Sequence, residues 1–321
     1  MPNWAQLLQE HQAVQVSAQA AAMMAWDTIR RKYLLQLHTC TGRNIIAYFS
    51  GWLSKPNVSG TEINDEDKNG FMLAVHELDK AKGLDLILHT PGGGIAATQS
   101  IVDYLHKMFK NDIRAVVPQL AMSGGTVIAC SCKEILMGEQ SSLGPIDPHM
   151  RGIPAAGVVK EFKRALKEIK RDPASLALWT PIIQQYRPTF LSQCEQAIEL
   201  CNAFVEKELA TVMFEGDSKA KSKAKKIVRF LSDYTRNKSH DRHINISECE
   251  AQGLRIVALE SNPQLQDLVL TIHHCYMHVT MNGPACKIIE NHLGRTLVKN
   301  AVPRPIPPGQ PSGEVRQPLL S

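Results

Sequence analysis

Residues Leu84–Ala97 read LDLILHTPGGGIAA, and residues Ile113–Cys130 read IRAVVPQLAMSGGTVIAC. Each stretch is an apolar run of strand length that ends in a glycine-rich turn and passes directly into a helix. Two such units joined by one helical stretch, Thr98–Lys110, predict buried, mainly parallel strands alternating with helices, which is an α/β domain. Glycines placed straight after a strand let backbone N–H groups approach a ligand without side-chain obstruction. A serine at the second turn, Ser123, presents its hydroxyl where the helix begins, so it reads as a nucleophile or as a plain helix cap. The first turn alone reads equally well as a structural tight turn. Taken together, the two strand ends bring the Gly92–Gly94 amides and the Ser123 hydroxyl to one pocket, and that joint arrangement favours the nucleophile.

Working outward, Ile45–Phe49 and Glu134–Met137 are further strand runs, and Lys68–Lys82 carries a helical pattern. On the N-terminal side, Met1–Arg31 is rich in Ala, Gln and Met at helical spacing and predicts one amphipathic helix. Beyond Pro148 the composition shifts. Val158–Lys170, Pro188–Glu215 and Ser218–Tyr234 read as helices of an insertion or lid, and the α/β pattern resumes over Ile246–Leu259. Val302–Ser321 holds Pro303, Pro305, Pro307, Pro308, Pro311 and Pro318, so it is expected to be extended or disordered.

The chain has 321 residues, 44% hydrophobic and 21% charged, which excludes a chain disordered throughout, a collagen and a coiled coil. Its longest apolar runs, such as Ala20–Trp26, fall short of the ~18 residues a membrane span needs. The first 25 residues lack a basic start followed by an apolar block, so export is not expected and the cytoplasm is the expected location. The formal charge of +5 owes much to KAKSKAKK at Lys219–Lys226. No aromatic residues interleave with that run, so a solvated helix face is expected rather than a nucleic-acid partner. The eight cysteines lack zinc-site spacing and are expected to be reduced and mostly buried. His273, His274 and His278 could set two ligands on one helical face, but no Glu lies between them as the metalloprotease motif requires. No metal and no cofactor is expected.

Three stretches then make the resemblance specific: TPGGG at Thr90–Gly94, AMSGGT at Ala121–Thr126, and SSLGPID at Ser141–Asp147. Together they resemble the signature stretches of the Clp protease and signal peptide peptidase A superfamily, and within it the serine dehydrogenase proteinase family. SHDRHINISECEAQGLRI at Ser239–Ile256 and KIIENHLGR at Lys287–Arg295 are similar to later segments of that family. The resemblance covers roughly Ile45–Asn300. It implies a ClpP/crotonase-like α/β fold of repeated β-β-α units with a helical insertion and an N-terminal helix. The chain then divides into an N-terminal helix (residues 1–35), a ClpP/crotonase-like domain (36–260, insertion about 155–235), a helix and strand segment (261–300) and the proline-rich tail (301–321). The resemblance further implies a serine peptidase with Ser123 as nucleophile and the Gly93 and Gly124 N–H groups as oxyanion hole. Each such donor is typically worth about 10²–10³ in rate. Peptides or unfolded proteins would be the substrates and a homo-oligomer the working form, because an apolar face such as Val14–Trp26 lacks a partner in the monomer.

The general base departs from the family patterns. The position matching the histidine of Clp peptidases falls near Ile146, and His149 lies three residues off register. Signal peptide peptidase A relatives use a lysine instead, which must be desolvated to act near neutral pH. Among the lysines of Val158–Arg171, Lys163 flanks the apolar face and is the chosen base. His240 beside Asp241 is the further alternative. Two other classes stay open: a catalytically silent scaffold of the same fold, and acyl-thioester chemistry, which uses the same amides and needs no serine. The family's name also suggests a dehydrogenase, but no dinucleotide fingerprint is present.

Overall fold

A computed structural model describes residues 6, 9, 10, 19–150 and 152–301. Its elements in chain order are α1 (Gln19–Thr41), β1 (Asn44–Ser50), α2 (Asp67–Val75), β2 (Leu84–His89), α3 (Ile95–Phe109), β3 (Ile113–Val117), β4 (Leu120–Ala121), α4 (Gly124–Cys130), β5 (Glu134–Met137) and β6 (Ser142–Leu143). There follow β7 (His149–Met150), β8 (Ile153–Pro154), α5 (Ala155–Arg171), α6 (Leu176–Ile183), α7 (Phe190–Glu208), α8 (Ala220–Leu231), α9 (Tyr234–Asn237) and β9 (Ile244–Asn245). The chain closes with α10 (Ile246–Gln252), β10 (Ile256–Ala258), α11 (Pro263–Asn282), β11 (Ala285–Asn291) and β12 (Thr296–Asn300).

The main sheet has seven strands in the order β10-β5-β3-β2-β1-β11-β12. Its five strands from β10 to β1 run parallel, while β11 and β12 add on antiparallel. Every residue of β1 and β2 is buried, as expected of strands covered on both faces. The period-2 alternation sorts them into two cores. Ile46, Tyr48, Leu84, Leu86 and Leu88 pack with α2, α3, α4 and the second half of α7, while Ile45, Ala47, Phe49 and Ile87 pack with α1 and α11.

A second, smaller layer turns the strand ends into a site. β4 pairs parallel with β6, which pairs antiparallel with β9. Single bridges join Thr90 to Ala121 and Ile63 to Gly93. After β3 the chain turns at Pro118, runs through β4 and enters α4, so strand, short strand and helix form one β-β-α step.

Several boundaries differ from the sequence reading. The N-terminal helix is expected to end near residue 31 but continues to Thr41; most of the chain before Gln19, and the tail from residue 302, lie outside the described residues. Where described, the apolar face expected to lack a partner is covered from within: Trp26 stacks on His278 of α11 at 4.6 Å. The helix expected over Lys68–Lys82 stops at Val75, because the chain reverses through Glu77, whose φ is +68°. The helical insertion splits in two. Cys201, Val205, Ile227 and Leu231 of α7 and α8 join the main core, whereas α5 and the start of α7 pack around Ala155, Val158 and Cys194. All eight cysteines are free, with Cys40 exposed and the others buried. Among the described residues, no helix is long and apolar enough to cross a membrane.

Candidate functional site

Thr90 ends the first strand–glycine unit and Ala121 the second, and a ladder between them sets the site. The Thr90 N–H donates to the Leu120 carbonyl at 3.1 Å, and the Met122 N–H returns a bond to the Thr90 carbonyl at 3.0 Å. The glycines of the first unit are pinned from the other side by Ile63, whose N–H donates to the Gly92 carbonyl at 2.7 Å and whose carbonyl accepts from Gly94 at 3.0 Å. The Gly93 N–H is left out of this ladder, and the Gly124 N–H stands at the start of α4. Neither donates to a backbone carbonyl among the described residues.

The two amides converge because only hydrogen fits on these α-carbons. A Cβ on Gly92, where φ is +92°, would stand 2.6 Å from the Ser123 Cβ and 2.7 Å from the Gly124 nitrogen. A Cβ on Gly124 would stand 3.2 Å from the Gly93 nitrogen. A carbonyl oxygen placed beside Ser123 can therefore meet both N–H groups.

Ser123 has φ +49° and ψ −113°, a conformation that non-glycine residues rarely adopt and that the surrounding structure must impose. The constraint is visible: Gly125 N–H donates to the Met122 carbonyl at 2.7 Å, and the buried Thr126 hydroxyl sits 2.8 Å from the Ala121 carbonyl while accepting from Gly144 N–H at 2.9 Å. Ser123 stands at the N-cap position of α4, but its side chain makes no capping bond. Its hydroxyl is partly exposed and faces a cleft of about 540 Å³. Besides Ser123, Gly93 and Gly124, the walls include His149, His240, Ile146 and Cys201.

His149 and His240, both weighed as bases from sequence, meet on one carboxylate. His240 Nδ1 lies 3.0 Å from Asp147 Oδ1, and His149 Nε2 lies 3.5 Å from Asp147 Oδ2. Their rings stand 4.0 Å apart, tilted by 37°. The Asp147 side chain is 4% exposed, against 21% for His240 and 28% for His149. Burial pushes the Asp147 carboxyl up, but the His149 and His240 imidazoles facing it outweigh that and hold the group below the usual carboxylate range. Asp241, the expected companion of His240, is exposed: its backbone N–H donates to the Ser239 hydroxyl oxygen at 3.2 Å, and the carboxylate on His240 is Asp147 instead. His240 and Asp241 lie in a turn, and it is Asp147, across the fold, that the His240 ring meets.

Lys163 lies on the exposed side of α5 and is not among the residues lining the cleft. Its neighbour Lys160 is engaged by the Thr235 hydroxyl and lies over the Tyr234 ring. Cys201 lines the cleft, but burial, then the Asp147 charge, pushes its thiol up to about 12, and it donates to the Ile146 carbonyl at 3.3 Å. His273, His274 and His278, weighed as metal ligands, sit on α11 in the second core. His273 packs against Phe49 and His89, and His278 against Trp26. Asp147 escaped the sequence reading as a functional residue. Its only signal was its place in SSLGPID, and its histidine partner is 93 residues away.

Residues 50–276 match the family described as ClpP-like SDH-type serine proteinase, and the chain belongs to that family. The matched region contains Gly93, Ser123, Gly124, Asp147, His149 and His240. Among similar proteins are two uncharacterized proteins of Methanocaldococcus jannaschii. MJ0137 is 31% identical over 194 residues and MJ1495 is 28% identical over 194 residues. The aligned stretch is 60% of this chain and 60% of MJ0137, and 60% of this chain and 59% of MJ1495.

Proposed function

We propose that the protein is a serine peptidase in which Ser123 attacks the carbonyl carbon of a peptide bond. The observation that carries the reading is the shared cleft: Ser123, two undonated amides and a histidine oriented by a buried carboxylate all line one cavity or stand directly behind it. His240 is the proposed base. Its Nδ1–H donates to Asp147, which fixes the tautomer and leaves the Nε2 lone pair to take the Ser123 proton. The tetrahedral oxyanion is held by the Gly93 and Gly124 N–H groups. Protonated His240 then returns its proton to the leaving amine as the C–N bond breaks. Water, deprotonated by the same nitrogen, releases the acid from Ser123.

Peptides or unfolded chain segments are the proposed substrate class and a homo-oligomer the proposed working form. Leu166, Leu176 and Leu178 of α5 and α6 each expose more than half of their surface, at 60%, 55% and 64%, and a subunit contact would cover them. Light scattering that finds only monomer across micromolar concentrations would count against the oligomer.

The direct test is labelling with a fluorophosphonate probe, read by mass spectrometry of the peptide carrying Ser123. Labelling should vanish in Ser123→Ala, fall by about 10²-fold or more in His240→Ala, and stay at the parent rate in Lys163→Met. A parent protein that is folded and unlabelled would leave the silent-scaffold reading standing instead.

A further inference from the structure

We propose that Asp147, His149 and His240 form a binding site for a divalent transition-metal ion of the zinc class, and that the bound ion switches off the nucleophile. The ligand atoms these three residues offer all lie within 4.8 Å of one another, and among the described residues no other group of three His, Cys, Asp or Glu side chains does so. Zinc ligands at about 2.0–2.1 Å in tetrahedral array stand about 3.3–3.4 Å apart. The observed separations of 3.0 Å and 3.5 Å from the two Asp147 oxygens bracket that spacing. The 3.5 Å separation is too long for a good hydrogen bond, so His149 is held beside the carboxylate without being fully used by it.

The chemistry of the donors selects the ion. Two imidazole nitrogens with one carboxylate suit zinc, cobalt or nickel, whereas magnesium and calcium prefer oxygen ligands throughout. The three ligands come from one short stretch, Asp147 and His149 two residues apart, and from the loop after α9 that carries His240. The buried carboxylate is already in place, and both histidines are partly exposed at the cleft wall. Three protein ligands leave a fourth position for water.

The inhibitory arm rests on the peptidase reading; the binding arm does not. An ion on His240 Nδ1 displaces the proton that this atom gives to Asp147, and the neutral ring then carries its proton on Nε2. No lone pair remains there to accept the Ser123 proton, and the carboxylate that oriented the ring is engaged by the metal. Proton count on the ring is unchanged and no redox step is involved.

The test is a titration of the metal-free full chain with Co²⁺, followed by visible absorption and by competition with Zn²⁺. Fluorophosphonate labelling of Ser123 is run on the same samples. The parent should bind one ion at a site weakened at least tenfold by Asp147→Asn and likewise by His149→Ala, with circular dichroism confirming that both variants fold. Zinc should suppress labelling in the parent, and the labelling that His149→Ala retains should require at least tenfold more zinc for the same suppression. Absence of saturable binding, or binding by both variants at parent affinity, would overturn the site and assign any bound ion to other side chains, such as exposed Cys40 or His76. Saturable, variant-sensitive binding in a protein whose Ser123 is never labelled would uphold the site and sink the peptidase reading. Labelling without binding would sink only the site.

Discussion

At Gly93 a single methyl group separates a working turn from a broken one. A Cβ there would meet the Ile63 carbonyl oxygen at 2.3 Å and the Ile63 nitrogen at 2.4 Å, both backbone atoms that cannot swing away. The neighbouring Gly94 has φ −61°, and its Cβ would find nothing nearer than 3.8 Å. Gly93→Ala should therefore destabilise the fold by about 2 kcal/mol or more, through loss of the Ile63 bridge, whereas Gly94→Ala should stay within about 1 kcal/mol. Urea unfolding of the two variants checks the contrast, and equal losses would show that the bridge does not hold the turn. Ser123→Ala should change stability by less than about 1 kcal/mol, since the hydroxyl makes no capping bond, and thermal unfolding beside the labelling assay would separate lost chemistry from lost fold. At this scale the sequence was most informative. Ser123, Gly93 and Gly124 sit in short motifs whose meaning is local. The base was less legible: helical-wheel reasoning put Lys163 beside the apolar face, yet Lys163 does not line the cleft, whereas His149 and His240 do and share Asp147, a proximity that only the folded chain creates.

Among the elements, α11 and the end of β2 carry a cost that shows in acid. His89 and His273 lie face to edge, 4.9 Å apart, and the Nδ1 of each has no hydrogen-bond partner among the described residues. Burial, and then each group's histidine neighbour, lowers both, His89 well below the ordinary range and His273 to about 3. An unfolded chain protonates histidine near pH 6.5, so between about 6.5 and 3 the unfolded state binds more protons than the native one. Stability is complete above that window and drains away as pH falls through it, at up to about 1.4 kcal/mol per pH unit for each such group. Thermal unfolding between pH 7 and pH 5 should show a falling midpoint, and His273→Phe should flatten part of the slope. An unchanged slope in that variant would assign the acid sensitivity elsewhere. The elements themselves were legible where burial makes long apolar runs, as in β2, β3 and β5. The two-residue strands β4, β6 and β9 were not, because partners distant in sequence define them rather than any propensity of their own. The short helix α6 contains Pro181, which argues against a helix on sequence grounds, yet its side chain Trp179 is buried and its Nε1–H donates to Glu168 at 2.9 Å.

Across the whole molecule, two buried ion pairs tie distant parts of the chain to β11. Lys287 Nζ lies 2.8 Å and 2.9 Å from the Asp67 oxygens and donates to the Glu62 carbonyl at 2.7 Å, while the Tyr48 hydroxyl donates to Asp67 at 2.7 Å. That cluster fixes the segment leading through Ile63, and so reaches the Gly93 turn. Glu290 is fully buried and is met by the Arg30 guanidinium of α1, by Arg31 at 3.1 Å, by the Tyr276 hydroxyl at 3.1 Å and by the Thr296 hydroxyl at 2.6 Å. Burial pushes the Glu290 carboxyl up, but the charge and hydrogen bonds of Arg30 hold it low. Composition reveals none of this, because a buried arginine and a surface arginine are the same letter. The consequence is an asymmetry between removing one partner and removing both. Arg30→Met leaves Glu290 charged in the core with only weaker partners, which should cost about 3–5 kcal/mol, whereas exchanging both partners for apolar side chains of similar volume avoids that penalty. The double variant Arg30→Met with Glu290→Met should therefore be more stable than Arg30→Met alone, by chemical denaturation at pH 7. If the double variant were the less stable, with losses simply adding, the pair would be contributing independently through packing rather than as one ion pair that fastens α1 to β11.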